Sequence, residues 1–353
     1  MTKRVIPYIV IGVAIMLGVL GYAWVMIDYR AFLGTPLKVG KQGVNYTLAP
    51  GTPLTRLADD LARRGVIKHP LYLILLARMR GDAQEIKAGE YHLAPGTTPG
   101  QLLNQLVAGK VMQYSLTLVD GWTFRQVMES VNRDPILVHT LRGLDDAAIM
   151  TRIGHPGENP EGRFYPDTYY FPRGTTDTAF LKRAHGRMQR FLAREWTHRA
   201  QGLPLKTPYD ALILASIVEK ETAVPAERYK IAGVFVRRLD IGMRLQTDPT
   251  VIYGLGKSYD GKLHARDLRR DTPYNTYLHA GLPPTPICMP SGQAIDAALH
   301  PAAGKALYFV ARGNGTHQFS DTLAQHDKAI IKYLLHGQTE KKRIPHEGKI
   351  RHH

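Results

Sequence analysis

No stretch limits this chain more than Val5 to Ile27, where 23 consecutive residues carry no charge. As a helix the run is about 34 Å long, enough to cross the hydrocarbon core of a bilayer. It is too long for the apolar region of an ordinary cleaved leader, and no small-x-small cleavage pattern follows it before Tyr29. A retained single-pass anchor over residues 5–27 is therefore expected, with a cleaved leader as the other reading. Lys3 and Arg4 precede the run, so the positive-inside rule assigns residues 1–4 to the cytoplasm and everything after Asp28 to the far side of the membrane. Tyr8, Tyr22 and Trp24 lie toward the two ends, where interfacial aromatics are expected.

That topology decides how the charge is read. The chain has 353 residues, 44% hydrophobic, which suffices for two or three domains, and a formal charge of +16. The basic residues are scattered, no nucleic-acid fingerprint occurs, and part of the excess sits in a tail with Lys341, Lys342, Arg343, Lys349 and Arg351. Nucleic acid is excluded as an ordinary partner outside the cytoplasm; an acidic polymer or an anionic membrane surface fits. Cys288 is the only cysteine, so no internal disulfide and no thiolate metal site can form. The fifteen His residues show no HExxH spacing, and neither a metal nor a cofactor is expected.

Residues 28–43 read as a linker. After it Tyr46-Thr-Leu-Ala-Pro-Gly-Thr52 recurs as Tyr91-His-Leu-Ala-Pro-Gly-Thr97 and, more weakly, as Leu116-Thr-Leu-Val-Asp-Gly-Trp122. Each of the first two copies precedes leucines at helical spacing: Leu54, Leu57, Leu61 and Leu102, Leu103, Leu106. The unit is a strand, a turn and a helix. With a second helix over Pro70 to Met79 and a returning strand over Glu90 to Leu93, residues 44–113 resemble a LysM domain, a glycan-binding unit; the other reading is an α+β spacer.

The stretch Thr207 to Thr222, TPYDALILASIVEKET, reads as the central helix. Thr207 suits the cap, Pro208 the first turn, and Asp210 the position three residues on. Every side between Ala211 and Val218 is apolar or small, the pattern of a buried helix. At roughly 100° per residue Glu219 shares its face with Leu212, Ala215, Ser216 and Ala223, whereas Glu221 falls opposite, so the two cannot flank one scissile bond as a glycosidase pair. Small neighbours should leave room beside Glu219. An acid on such a helix, with little to solvate its anion, is expected to hold a proton near neutrality and act as a general acid, or else to be the satisfied partner of a Lys or Arg.

Other motifs surround it. Glu161 to Pro172, EGRFYPDTYYFP, is crowded with aromatics; Tyr165 and Tyr169 could face a sugar, while Phe164 and Phe171 read as packing. A basic helix is expected over Ala179 to Arg199 and an amphipathic one over Ala226 to Leu239. In RLQTDPTVIYG, Arg244 to Gly254, Asp248 before Pro249 reads as a helix cap or, alternatively, a catalytic group, and Gln246 and Thr247 could donate to a sugar or to Glu219. Tyr274-Asn-Thr-Tyr277 and Gly281-Leu-Pro-Pro284 form a polar-aromatic loop. A helix over Ser291 to Leu299, a hairpin around Gly313-Asn-Gly315, a closing helix over Asp321 to Leu335 and a polar tail over 337–353 complete the chain.

Taken in order, EGRFYPDTY, SIVEKETA, RLQTDPTVIYGLG, YNTY and GLPPTPI resemble the YceG-like family of membrane-anchored endolytic murein transglycosylases. The resemblance implies an α+β architecture: the anchor, the LysM-like part, then a catalytic domain over 114–336 built around the acid-bearing helix. It further implies a bacterial inner-membrane protein whose body is periplasmic, acting on nascent peptidoglycan strands beside peptidoglycan synthases. The first Glu of EKET, here Glu219, becomes the acid. It would protonate the oxygen between N-acetylmuramic acid and N-acetylglucosamine, then take the proton of the muramyl 6-hydroxyl as a 1,6-anhydro ring closes. Gln246, Thr247, Tyr274, Asn275, Tyr165 and Tyr169 are the candidates for holding the sugar, and Ser216, Glu221 and Asp248 for support. The chain departs from the family pattern at Thr285 and at Cys288-Met289-Pro290-Ser291, where Asn-Pro-Gly is usual. Competing readings are a hydrolase in which Asp248 or Glu161 activates water, and a glycan-binding scaffold without catalysis.

Overall fold

The structure is a computed structural model that describes residues 6–335; the expected cytoplasmic end (1–4) and the polar tail (337–353) fall outside them. Its described residues form a mixed α+β protein of two compact units, one within residues 6–114 with 170–174 and the other within residues 115–169 with 175–335.

In the first unit, α1 (Ile6–Gly34) runs for 29 residues, and the portion Ile9–Gly34 is long and apolar enough to cross a membrane. The helix does not stop where the uncharged run stops. Asp28 and Arg30 end the apolar run but are tolerated by a helix, and only Gly34, followed by Thr35 and Pro36, breaks it. Tyr29, Phe32 and Leu37 are buried, so the first part of the stretch expected as a linker, up to Gly34, continues the helix and packs on the unit's core, while residues 35–43 are irregular.

Next come β1 (Val44–Leu48), α2 (Leu54–Arg63), α3 (Pro70–Met79), β2 (Gly89–Leu93) and α4 (Pro99–Ala108). β1 and β2 pair antiparallel with Tyr46 opposite Tyr91. The repeated leucines fill the core: Leu57, Leu61, Leu102, Leu103 and Leu106 are fully buried, each worth about 2 kcal/mol of transfer free energy. Thr98 and Gln101 form a reciprocal capping box that fixes the start of α4. β3 (Tyr114–Thr117) follows, and the division between units falls inside it.

The second unit continues with α5 (Phe124–Arg133), α6 (Asp146–Ile153) and α7 (Asp177–Thr197), while β4 (Thr168–Phe171), which pairs with β3, is like it divided between the units. Then come α8 (Pro208–Glu221), α9 (Pro225–Asp240), α10 (Asp248–Leu255), α11 (Gly292–Leu299), the hairpin of β5 (Tyr308–Ala311) and β6 (His317–Ser320), and α12 (Leu323–Tyr333). α8 is the axis of this unit. Thr207 and Asp210 close a capping box at its start, and every residue from Ala211 to Val218 is buried. α7, α9, α10 and α11 all pack on it, and Ala211 and Ala215 meet the alanines Ala294, Ala297 and Ala298 of α11 in one core, where small side chains let two backbones approach.

Candidate active site

α8 stops because Thr222 is extended and its hydroxyl takes the Val224 amide at 3.0 Å, after which Pro225 starts α9. The reversal brings Arg228 back over the last turn of α8. Its Nη2 donates to Glu219 Oε1 at 3.2 Å, and the two side chains are 8% and 6% exposed. Ser291, at the cap of α11, donates its backbone N to Glu219 Oε2 at 2.9 Å and its hydroxyl to the same oxygen. Arg228 also donates from Nη1 to Gln293, while its buried Nε has no partner among the described residues.

This corrects one expectation about Glu219. The small residues on its face do not leave an open space; they admit the 286–291 loop and α11. Ser216 is the docking point: its hydroxyl donates to Ile213 O at 2.7 Å and accepts from Ile287 N at 3.0 Å, and its carbonyl accepts from Cys288 Sγ at 3.3 Å. The carboxylate, expected to have little around it, is met by a guanidinium and two Ser291 donors, so the reading of a satisfied partner describes this state of the protein.

Glu221 points elsewhere, as the helical geometry predicts. It accepts a bond from the Thr247 hydroxyl, and burial pushes its carboxyl up to about 7 against the lowering effect of that bond. Thr247 is buried and its N donates to Thr276 Oγ1 at 3.1 Å. Beside it Gln246 is exposed and is the only non-glycine residue with positive φ, 51°, among the described residues. Asp248 is not the cap expected of it. Thr247 holds the cap position of α10 without a side-chain bond, and Asp248 accepts the Tyr277 hydroxyl at 2.6 Å.

The remaining predicted residues divide. Tyr165 lies beside the start of α11, because a Cβ on Gly292 would stand 2.6 Å from its hydroxyl; its ring packs on Phe191 and under Arg187. Tyr274 bonds Thr285, the departure from the family pattern, at 2.9 Å, and its ring meets Tyr253. Tyr169 and Asn275 are interior. The Tyr169 hydroxyl donates to Tyr165 O at 2.6 Å, and the Asn275 amide is occupied by Leu268 O, Arg270 O and Tyr277 N. Glu161 is 5% exposed and accepts from Phe124 N and Tyr253 OH, both at 2.9 Å; burial pushes its carboxyl up to about 7. Gly162 after it has φ +78°, and a Cβ there would come within 2.5 Å of Pro286, so only glycine lets this turn meet the 286–288 loop.

Sequence reasoning missed Arg228, Ser291 and Gln293. Arg228 did carry a signal: it lies three residues before Ile231 and seven before Phe235, on the apolar stripe of α9, where an arginine needs a buried partner. Ser291 stood out only as a helix start and as part of the departure from the family pattern, and its distance of 72 residues from Glu219 hid the contact between them. A second titratable cluster, His155, Glu158 and His185, brings three metal-ligating atoms within 4.8 Å of one another. Arg163 already stands 3.0 Å from the Glu158 carboxylate and supplies the positive charge there, so the cluster reads as an ion-pair network.

The model of the YceG-like family matches residues 46–332. An endolytic murein transglycosylase of Bacillus subtilis is 31% identical over 318 residues, covering 84% of this chain and 86% of that protein. One of Streptococcus pneumoniae is 26% identical over 336 residues; the match covers 83% of this chain and 59% of the streptococcal protein. The crystal structure of a YceG-like protein from Listeria monocytogenes superposes with a TM-score of 0.53 at 30% identity, over 82% of this chain and 99% of that one.

Proposed function

The chain belongs to the YceG-like family, and from that membership and the surroundings of Glu219 we propose that it is an endolytic peptidoglycan lytic transglycosylase using one carboxyl group as acid and then base. One observation carries the single-carboxyl reading. Each other candidate acid of the second unit is held by bonds of its own: Glu221 by Thr247, Asp248 by Tyr277, and Glu161 by Phe124 and Tyr253. Glu221 and Glu161 are bonded in dry surroundings, which disfavours them as bases for a water, whereas Asp248 is exposed and, among the described residues, bonded through Oδ1 alone, so the hydrolase reading turns on Asp248 and on the product ends.

Glu219 lies at the end of a buried helix, with donors supplied by two separate elements. In the resting protein these donors hold the carboxylate as a base would be held. Binding of a glycan strand displaces Arg228 from Oε1, and the carboxyl, with its charge partner moved away and water excluded, takes a proton and passes it to the glycosidic oxygen. It then removes the proton of the muramyl 6-hydroxyl as the anhydro ring closes. The buried, unpartnered Nε of Arg228 is a donor for the strand once the guanidinium swings. Gln246, Tyr165 and Tyr274 are the sugar-facing candidates that keep their place; Ser216, Thr247 and Glu221 position the loops.

α1 supports a single-pass anchor, and Lys3 and Arg4 before it favour a periplasmic body; with that topology the enzyme acts on nascent strands beside peptidoglycan synthases. The β-α-α-β order over residues 44–93 supports the LysM-like reading of 44–113. Mass spectrometry of products from uncrosslinked glycan tests the whole reading. 1,6-Anhydro ends that vanish in Glu219→Gln are expected; reducing muramyl ends would make the enzyme a hydrolase, and unchanged cleavage by the variant would remove Glu219 from the chemistry.

A further inference from the structure

α3 carries an apolar stripe on the side that its own core does not use. Leu73, Ile74 and Ala77 are buried, whereas Leu71, Leu75 and Met79 are 74%, 45% and 71% exposed. Four residues apart, these three share one face of the helix. The segment PLYLILLARM has no acid; Arg78 flanks the stripe and Lys68 precedes it, both exposed.

The contacts of α3 with α1 say what the stripe meets. At its start His69 stands 3.8 Å from Asp28, and Tyr72 donates to the same carboxylate at 3.0 Å. At its end Met79 receives the Tyr29 hydroxyl at 3.9 Å. The rings of Tyr29 and Phe32 also meet the start of α3, so α3 touches α1 over Asp28 to Phe32, about 6 Å of that helix against about 15 Å of its own length, and crosses it steeply. A helix that crosses a membrane-spanning helix steeply lies near the plane of the bilayer, and this crossing comes directly after the uncharged run ends at Ile27. Helical side chains lean toward the N-terminus of their own helix, so Tyr29 reaches back toward the span, and Met79, which it touches, marks the span-facing side of α3.

We propose that Leu71, Leu75 and Met79 dip into the leaflet from which the anchor emerges, with Lys68 and Arg78 among anionic headgroups. The module of β1, α2, α3 and β2 then rests on the lipid surface and does not stand off it. The inference rests on reading α1 as a span, and its test separates the two. Full-length protein carrying Cys288→Ala receives a single environment-sensitive fluorophore at Leu75→Cys, Leu17→Cys or Glu129→Cys and is reconstituted into phosphatidylethanolamine and phosphatidylglycerol vesicles. Position 75 is expected to emit at shorter wavelength than position 129 and to be quenched several-fold more strongly by a nitroxide near the headgroups, while position 17 responds to a nitroxide deep in the acyl chains. If position 75 behaves like position 129 while position 17 is lipid-quenched, the span stands and this inference falls. If position 17 is also aqueous, both fall.

Discussion

Glu219 and Glu221 stand two residues apart on α8 and meet opposite surroundings. Glu219 is held by a guanidinium from α9 and by two donors from the cap of α11. Glu221 has a hydroxyl from the loop before α10, and its burial favours the protonated form. The difference shows how one helix gives two acids separate surroundings: about 200° of rotation sends them to different elements. A carboxylate tied by an ion pair can exchange its partner when a ligand brings new charges or excludes water. A carboxyl bonded to a neutral hydroxyl in a dry place has nothing to exchange, and it braces the turn that presents Gln246.

The sharpest way to break this comparison is to neutralise each acid in turn. Glu219→Gln should lower strand cleavage at least ~100-fold, the ordinary worth of a general acid, and should also lower the melting temperature, because it leaves the buried Arg228 charge without its partner. Glu221→Gln keeps the Thr247 contact and should lower cleavage less than ~10-fold. Counting anhydro ends by mass spectrometry decides, and the reverse ranking would hand the chemistry to Glu221.

Next in size is the ion pair. Arg228→Met strands a buried carboxylate and should cost about 3–5 kcal/mol in urea unfolding, whereas Glu219→Gln combined with Arg228→Met should cost less than the two single changes added. Strict additivity would mean that the pair is not coupled, and the contrast with Glu221 would lose its basis.

A pH titration sharpens the other half. Glu161 and Glu221 each have a folded value of about 7 against an ordinary 4.5. Between these the folded protein binds more protons than the unfolded chain, so unfolding free energy should fall as pH rises from about 4.5 to about 7 and level off above. The stabilisation is complete below 4.5. A displacement of this size corresponds to about 3 kcal/mol per group, and Glu161→Gln should flatten its share of the slope, as urea midpoints at pH 5 and pH 8 would show.

What could be read beforehand was local. α8 was legible because its caps and its all-apolar sides sit within sixteen consecutive residues, and the divergence of Glu219 from Glu221 follows from helical rotation alone. The helical continuation after Ile27 was not, because Asp28 and Arg30 end an apolar run without ending a helix. The covering of Ser216 by Ile287 and Cys288 joins residues about seventy positions apart, which no local pattern encodes. Asn275 and Tyr169 show a further limit. A polar group beside a turn looks the same in sequence whether it binds a sugar or its own backbone, and here both bind backbone.

The smallest effect tests the most particular residue. Gln246 holds φ at 51°, a conformation that costs a side-chain-bearing residue about 1 kcal/mol, while glycine adopts it freely but loses more entropy on folding, so the two terms nearly cancel. Gln246→Gly should therefore leave the melting temperature unchanged or slightly higher. If the strained turn exists to aim the Gln246 amide at a sugar, cleavage should fall in Gln246→Gly and equally in Gln246→Ala, which keeps the strain but lacks the amide. Activity retained by the glycine variant with unchanged stability would take Gln246 off the sugar and leave the Thr247–Glu221 bond as what the turn is for.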